Sequence, residues 1–186
     1  MVKSYTLYIL LNDSTKWLNQ KFNRMEFINM EQKTEDSIKE LSFEWTYHAS
    51  INAVFDAITL PEHLKEWDCP EHLDISFAES KPKAGGEYRV GLVVPGGDGT
   101  EMMFVGKYKK VARPNQLTYT HAFSPGNGAP LTPETNISIS LKQDGDKTLM
   151  QFKQTGFADK RAYEGARMSW PGLYTKLGNY LETLEE

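Results

Sequence analysis

The chain has 186 residues, with 21 Lys plus Arg against 25 Asp plus Glu, 39% hydrophobic and 12% aromatic side chains, and a single cysteine. That length suits one globular domain or a smaller domain with an extension, and the composition excludes fibrous, largely disordered and bilayer-spanning chains. A net charge of −4 supplies no bulk field for nucleic acid, the lone Cys69 cannot close an internal disulfide, and no apolar run approaches a membrane span.

Residues 1–39 carry 6 basic and 5 acidic side chains, for +1, whereas residues 40–186 carry 15 and 20, for −5. The first part reads as an N-terminal extension. Within it Tyr5 to Leu11 suits a strand or short helix, Asp13 or Ser14 a cap for a helix from Thr15, and Gln32 to Asp36 a polar bridge. Met25 and Met30 offer alternative starts. Tyr5 to Leu11 follows only Lys3 and lacks a small-residue cleavage site, so a cytoplasmic location is expected rather than export.

From Leu41 the periodicity is firmer. Leu41, Phe43, Trp45 and Tyr47 alternate with polar residues, predicting a strand with one buried face. Ser50 is placed to cap a helix through Val54, Phe55 and Ile58, and Pro61 to open a second short helix carrying Leu64 and Trp67. Tyr88, Val90 and Leu92, the Gly-rich turn from Pro95 to Gly99, and Met102, Phe104, Gly106 and Tyr108 predict a hairpin. Arg113-Pro114-Asn115 makes a turn into Leu117, Tyr119, His121 and Phe123, which share a strand face. After a Pro/Gly-rich loop from Ser124 to Pro133, Ile137, Ile139 and Leu141 alternate. The chain turns at Asp144-Gly145 and returns through Met150, Phe152 and Gln154. Helical spacing follows from Asp159 to Met168, with a break expected at Ser169 to Gly172. It resumes through Trp170, Leu173, Leu177, Tyr180 and Leu184.

These elements predict an α+β domain over residues 40–186: a curved antiparallel sheet of about six or seven strands wrapped around a long C-terminal helix. A cavity between sheet and helix follows if the inward aromatics do not fill it. The candidate lining is Trp45, Tyr47, Tyr88, Phe104, Tyr108, Tyr119 and Phe152 from strands, with Trp67, Trp170 and Leu173 from helices. The alternative for each is a filled core. Met102, Met150 and Met168 would add adaptable walls if they face inward.

His121 shares a strand face with Tyr119 and is the one candidate for acid–base work, with Tyr119 or Tyr108 as partner. No nucleophile with a positioned base stands out, so no residue is assigned a catalytic role. Cys69 and His72, with Asp68 and Glu71 beside them, have zinc-ligand chemistry but no second pair at ligand spacing, and neither a metal nor a cofactor is expected. Lys81, Lys83, Lys107, Lys109 and Lys110 gather round the hairpin as outward strand lysines.

The order of these elements carries a resemblance. Ala49-Ser50 with Val54 to Thr59, Pro61-Glu62-His63-Leu64 leading to Trp67, and Gly85 to Arg89 form its first half. Phe104 to Tyr108 with Val111, Pro114 with Leu117 and Tyr119-Thr120, Thr148, Gly156 to Asp159, and Trp170 with Leu173, Leu177 and Leu181 form its second. Together they resemble the activator of heat-shock protein 90 ATPase homologue-like family, within the START and birch-pollen-allergen superfamily, from about residue 40 onward. Ser169 stands where the family commonly has Gly, Pro171 follows the helix Trp, and Gln154 stands where many members have His. The resemblance implies a helix-grip fold and binding of a small hydrophobic or amphipathic ligand. It also implies, as alternatives, regulation of heat-shock protein 90 ATPase or a cyclase- or hydrolase-type enzyme using the cavity.

Overall fold

The computed structural model describes residues 40–97, 99, 101–124 and 132–184. The features expected in residues 1–39, and most of the loop from Ser124 to Pro133, lie outside the described residues. Six stretches of alternating apolar and polar residues become the strands β1 (Glu40–Tyr47), β3 (Glu87–Val93), β4 (Glu101–Ala112), β5 (Gln116–Ser124), β6 (Thr135–Asp144) and β7 (Lys147–Thr155). A seventh strand, β2 (Asp74–Ser80), has no clean alternation, because a bulge between Ile75 and Phe77 shifts its register against β3.

The strands form one antiparallel sheet in the order β1-β7-β6-β5-β4-β3-β2. β1 closes against the last strand: Phe43 faces Phe152 and Trp45 faces Met150. Between β1 and β2 the chain forms α1 (Ile51–Ala57) and α2 (Pro61–Trp67). The Ser50 hydroxyl accepts the Ala53 N–H at 3.2 Å, and Pro61 opens α2, where its missing N–H costs nothing. The Trp67 indole donates to the Ala57 carbonyl at 2.9 Å, locking the two short helices together.

Helix α3 (Lys160–Thr183) starts on Asp159, whose carboxylate accepts the Ala162 N–H at 2.8 Å. It buries Trp170, Leu173, Tyr174, Leu177 and Leu181 on the concave face of the sheet. That is the apolar stripe of a 3.6-residue period. Leu184, placed on this face by spacing, is instead the exposed C-cap residue.

The break expected at Ser169 to Gly172 does not occur; α3 runs through Pro171. Pro171 lies on the exposed face of the helix, where the carbonyl it leaves unpaired is open to solvent, and buried Trp170, Leu173 and Tyr174 hold the helical register on either side. Met168 is 75% exposed and walls nothing, whereas Met150 is buried and Met102 half-buried in the main core.

Candidate functional site

Two spaces lie along α3, and His121 and Trp170 line both. The inner one is a chamber with room for about 20 Å³, enough for a single water-sized group. Trp67 and Asp68 at the end of α2, Tyr88 of β3, Tyr108 of β4, Tyr119 of β5 and Tyr174 of α3 enclose it. The outer one is an open groove of about 580 Å³ under the first half of α3, walled by Leu92, Phe104, Phe123, Phe157 and Leu173, with Asp159 and Arg161 beside it. The register brings these walls together: Phe104 pairs with Phe123 across β4 and β5, and Tyr108 with Tyr119.

The sheet's approach at this point depends on Gly106. A Cβ there would lie 1.8 Å from the Thr120 carbonyl oxygen and 2.5 Å from the Tyr88 ring.

Hydrogen bonds fix the chamber wall. The Tyr88 hydroxyl and His121 Nδ1 are 2.6 Å apart. The Ser80 hydroxyl donates to the Thr59 carbonyl at 2.6 Å, so the Tyr108 hydroxyl, 2.9 Å away, donates to Ser80 Oγ. Across the partition, the Trp170 indole donates to Gln154 Oε1 at 2.6 Å, Gln154 Nε2 donates to Thr135 Oγ1 at 2.9 Å, and Thr135 donates to the His121 carbonyl at 3.0 Å. A chain of side chains thus ties α3 to β7, β6 and β5.

Enclosure shifts the titratable groups that line the chamber toward their neutral forms. His121 is half-buried by area, but its ring sits 5.1 Å from Phe104 and 5.4 Å from Trp170, and desolvation pulls its pKa down to about 4. Desolvation raises Asp68 to about 7 and Tyr108 to about 12, and pushes Tyr88, Tyr119 and Tyr174 well above the ordinary tyrosine value.

Of the residues expected to line a cavity, Trp67, Tyr88, Tyr108 and Tyr119 line the chamber, Phe104 and Leu173 the groove, and His121 and Trp170 both. Trp45, Tyr47 and Phe152 line neither. Trp45 and Phe152 pack against Tyr174 at 4.5 and 5.5 Å between ring centroids, and the Tyr47 hydroxyl donates to the Tyr174 carbonyl at 3.2 Å. His121 meets Tyr88 rather than Tyr119 or Tyr108. Asp68, Phe123 and Phe157 were not among the expected lining residues. Phe123 shares the strand face of Tyr119 and His121, a signal that reaches it, but no periodicity marks a loop residue such as Asp68 as inward.

Cys69 is tied up locally: its thiol donates to the Leu73 carbonyl at 3.3 Å, and Lys176 Nζ donates to its carbonyl at 2.9 Å. His72 is exposed, and among the described residues no three His, Cys, Asp or Glu side chains gather as a metal site. No helix among the described residues is long and apolar enough to cross a membrane.

A curved seven-stranded antiparallel sheet gripping one long helix, with two short helices after the first strand, defines a helix-grip protein of the START and birch-pollen-allergen superfamily, a fold that commonly binds hydrophobic ligands. The family profile described as Activator of Hsp90 ATPase homolog 1-like protein matches residues 48–182, and the chain belongs to that family. Solved structures share the fold. A protein from Nitrosomonas europaea superposes with a TM-score of 0.67 at 22% identity, covering 80% of this chain and 97% of that one. One from Staphylococcus epidermidis gives 0.68 at 21%, covering 80% and 92%, and one from Arthrobacter aurescens 0.69 at 18%, covering 79% and 88%. No curated protein matches the chain significantly.

Proposed function

We propose that the protein binds a small hydrophobic or amphipathic molecule, with its apolar part in the groove beneath the first half of α3. The observation that carries this reading is the groove itself: about 580 Å³, within the range of small-molecule sites, and bounded by Phe104, Phe123, Phe157 and Leu173. Native mass spectrometry of freshly purified protein, followed by organic extraction, tests it without a guess at the ligand. A stoichiometric apolar adduct is the expected result. A bare mass, together with no uptake of medium-chain alcohols, overturns the reading.

A second reading, a cyclase- or hydrolase-type enzyme, draws on the 2.6 Å contact between the Tyr88 hydroxyl and a neutral His121, an arrangement suited to proton transfer. An identified turnover left unchanged by His121→Ala removes it. The family description supplies a third, contact with heat-shock protein 90. That falls if the purified chaperone shows neither complex nor altered ATPase rate.

A further inference from the structure

One carboxyl group, that of Asp68, lines the chamber. Asp68 is 8% exposed, and the only influence on its ionisation is burial: among the described residues its carboxylate accepts no hydrogen bond and faces no cation. Two of the neighbouring hydroxyls are committed elsewhere, Tyr88 with His121 and Tyr108 to Ser80. The nearby cation of α3, Lys176, is held at the Cys69 carbonyl and does not line the chamber. A carboxyl only 8% exposed is poorly solvated, so an occupant that donates to it gains affinity.

Three properties of the chamber define the occupant. The rings of Trp67, Tyr88, Tyr108, Tyr119, Trp170 and Tyr174 line the chamber beside one carboxyl, a setting that favours a cation. Room for about 20 Å³ admits a single water-sized group and excludes phosphate, carboxylate and trimethylammonium heads. The neighbouring groove supplies an apolar bed on the far side of His121 and Trp170, whose ring centroids are 5.4 Å apart and must part to let a chain through.

Building on the ligand-binding reading above, we infer that the chamber is a head-group site for a primary ammonium, and that the ligand class is an aliphatic or aryl-alkyl amine with its apolar body in the groove. Asp68 receives the ammonium and the tyrosine and tryptophan faces surround it.

The test is calorimetric titration of the full chain with decylamine and with decanol, both below micelle-forming concentration, for wild type and Asp68→Asn. Decylamine should bind wild type about tenfold or more tightly than decanol, and Asp68→Asn should erase that preference while leaving decanol affinity unchanged. Decanol binding also reports that the variant is folded. On wild type alone, decylamine affinity should rise with pH through about 7, where Asp68 ionises, since Tyr88, Tyr108, Tyr119, Tyr174 and His121, the titratable groups facing it, are neutral there. Equal affinity for both probes, or a preference that survives Asp68→Asn, overturns the head-group site and leaves the groove reading standing. Binding of neither probe overturns both.

Discussion

Asp68 and His121 put opposite pH dependences into one chamber. Asp68 titrates near 7 in the fold against 3.8 in a model carboxyl, so the folded state holds its proton longer and stability falls as pH rises across that window. His121 titrates near 4 against 6.5, so the unfolded state takes the proton first and stability falls as pH drops from 6.5 through 4. Between pH 4 and 6.5 the two slopes, each up to about 1.4 kcal/mol per pH unit, oppose and largely cancel in wild type. Asp68→Asn should therefore unmask a stability that rises over this range, and His121→Gln one that falls, each by on the order of 2 kcal/mol. Urea denaturation across that range checks it, and profiles that simply parallel wild type would sink it. Gln154 offers a second residue-scale test. Its amide accepts from Trp170 and donates to Thr135, so Gln154→Leu strands a buried N–H and should cost about 2 kcal/mol in thermal melts. Gln154→His, which keeps one acceptor and one donor, should cost less. Alternation identified His121 and Gln154 as inward-facing. What Asp68 does was not legible, because a loop residue's direction is set by the way Cys69 and Leu73 bond around it and not by any period.

At the scale of elements, the strands with uninterrupted alternation were readable, and β2 and α3 show where periodicity stops being enough. The β2 bulge moves Phe77 out of phase with Ile75, onto the opposite face, where it packs with Met103, Val105 and Ala122. A Cβ on Gly91 would lie 2.4 Å from the Phe77 ring, so this small outer cluster depends on a glycine across the strand pair. In α3, local propensity pointed to a break at Pro171 and tertiary burial of Trp170 and Leu173 overrode it. That conflict has a measurable cost. Pro171→Ala restores a helical N–H on an exposed face and should raise stability by about 1–3 kcal/mol. Gly165→Ala, where an added Cβ meets nothing within 4 Å, should add about 0.5–1 kcal/mol. A lowered melting temperature in either variant would mean that the helix needs its present local geometry.

For the molecule as a whole, the filled and the open parts of the grip are set by how α3 is anchored. From Trp170 to Leu181 it contributes five buried side chains, and Tyr47 bonds its backbone, so this half is clamped to the sheet. From Lys160 to Ser169 every residue is exposed or half-buried, and Gly165 weakens the helix there. The large groove lies under this first, loosely held half. The sheet-and-helix grip could be read from the order of elements, but the division of its interior could not: rings such as Trp45 and Phe152 fill space according to how closely they meet Tyr174, a distance no spacing encodes. Opening energy follows the number of buried apolar contacts that must be broken. Amide hydrogen exchange should therefore be fast over residues 160–169 and slow over 173–181. A ligand seated in the groove should slow the first segment by tenfold or more at saturating concentration and leave the second nearly unchanged. Uniform protection along α3 in the free protein would show that the first half is held as firmly as the second, and that the groove does not open by fraying of its roof.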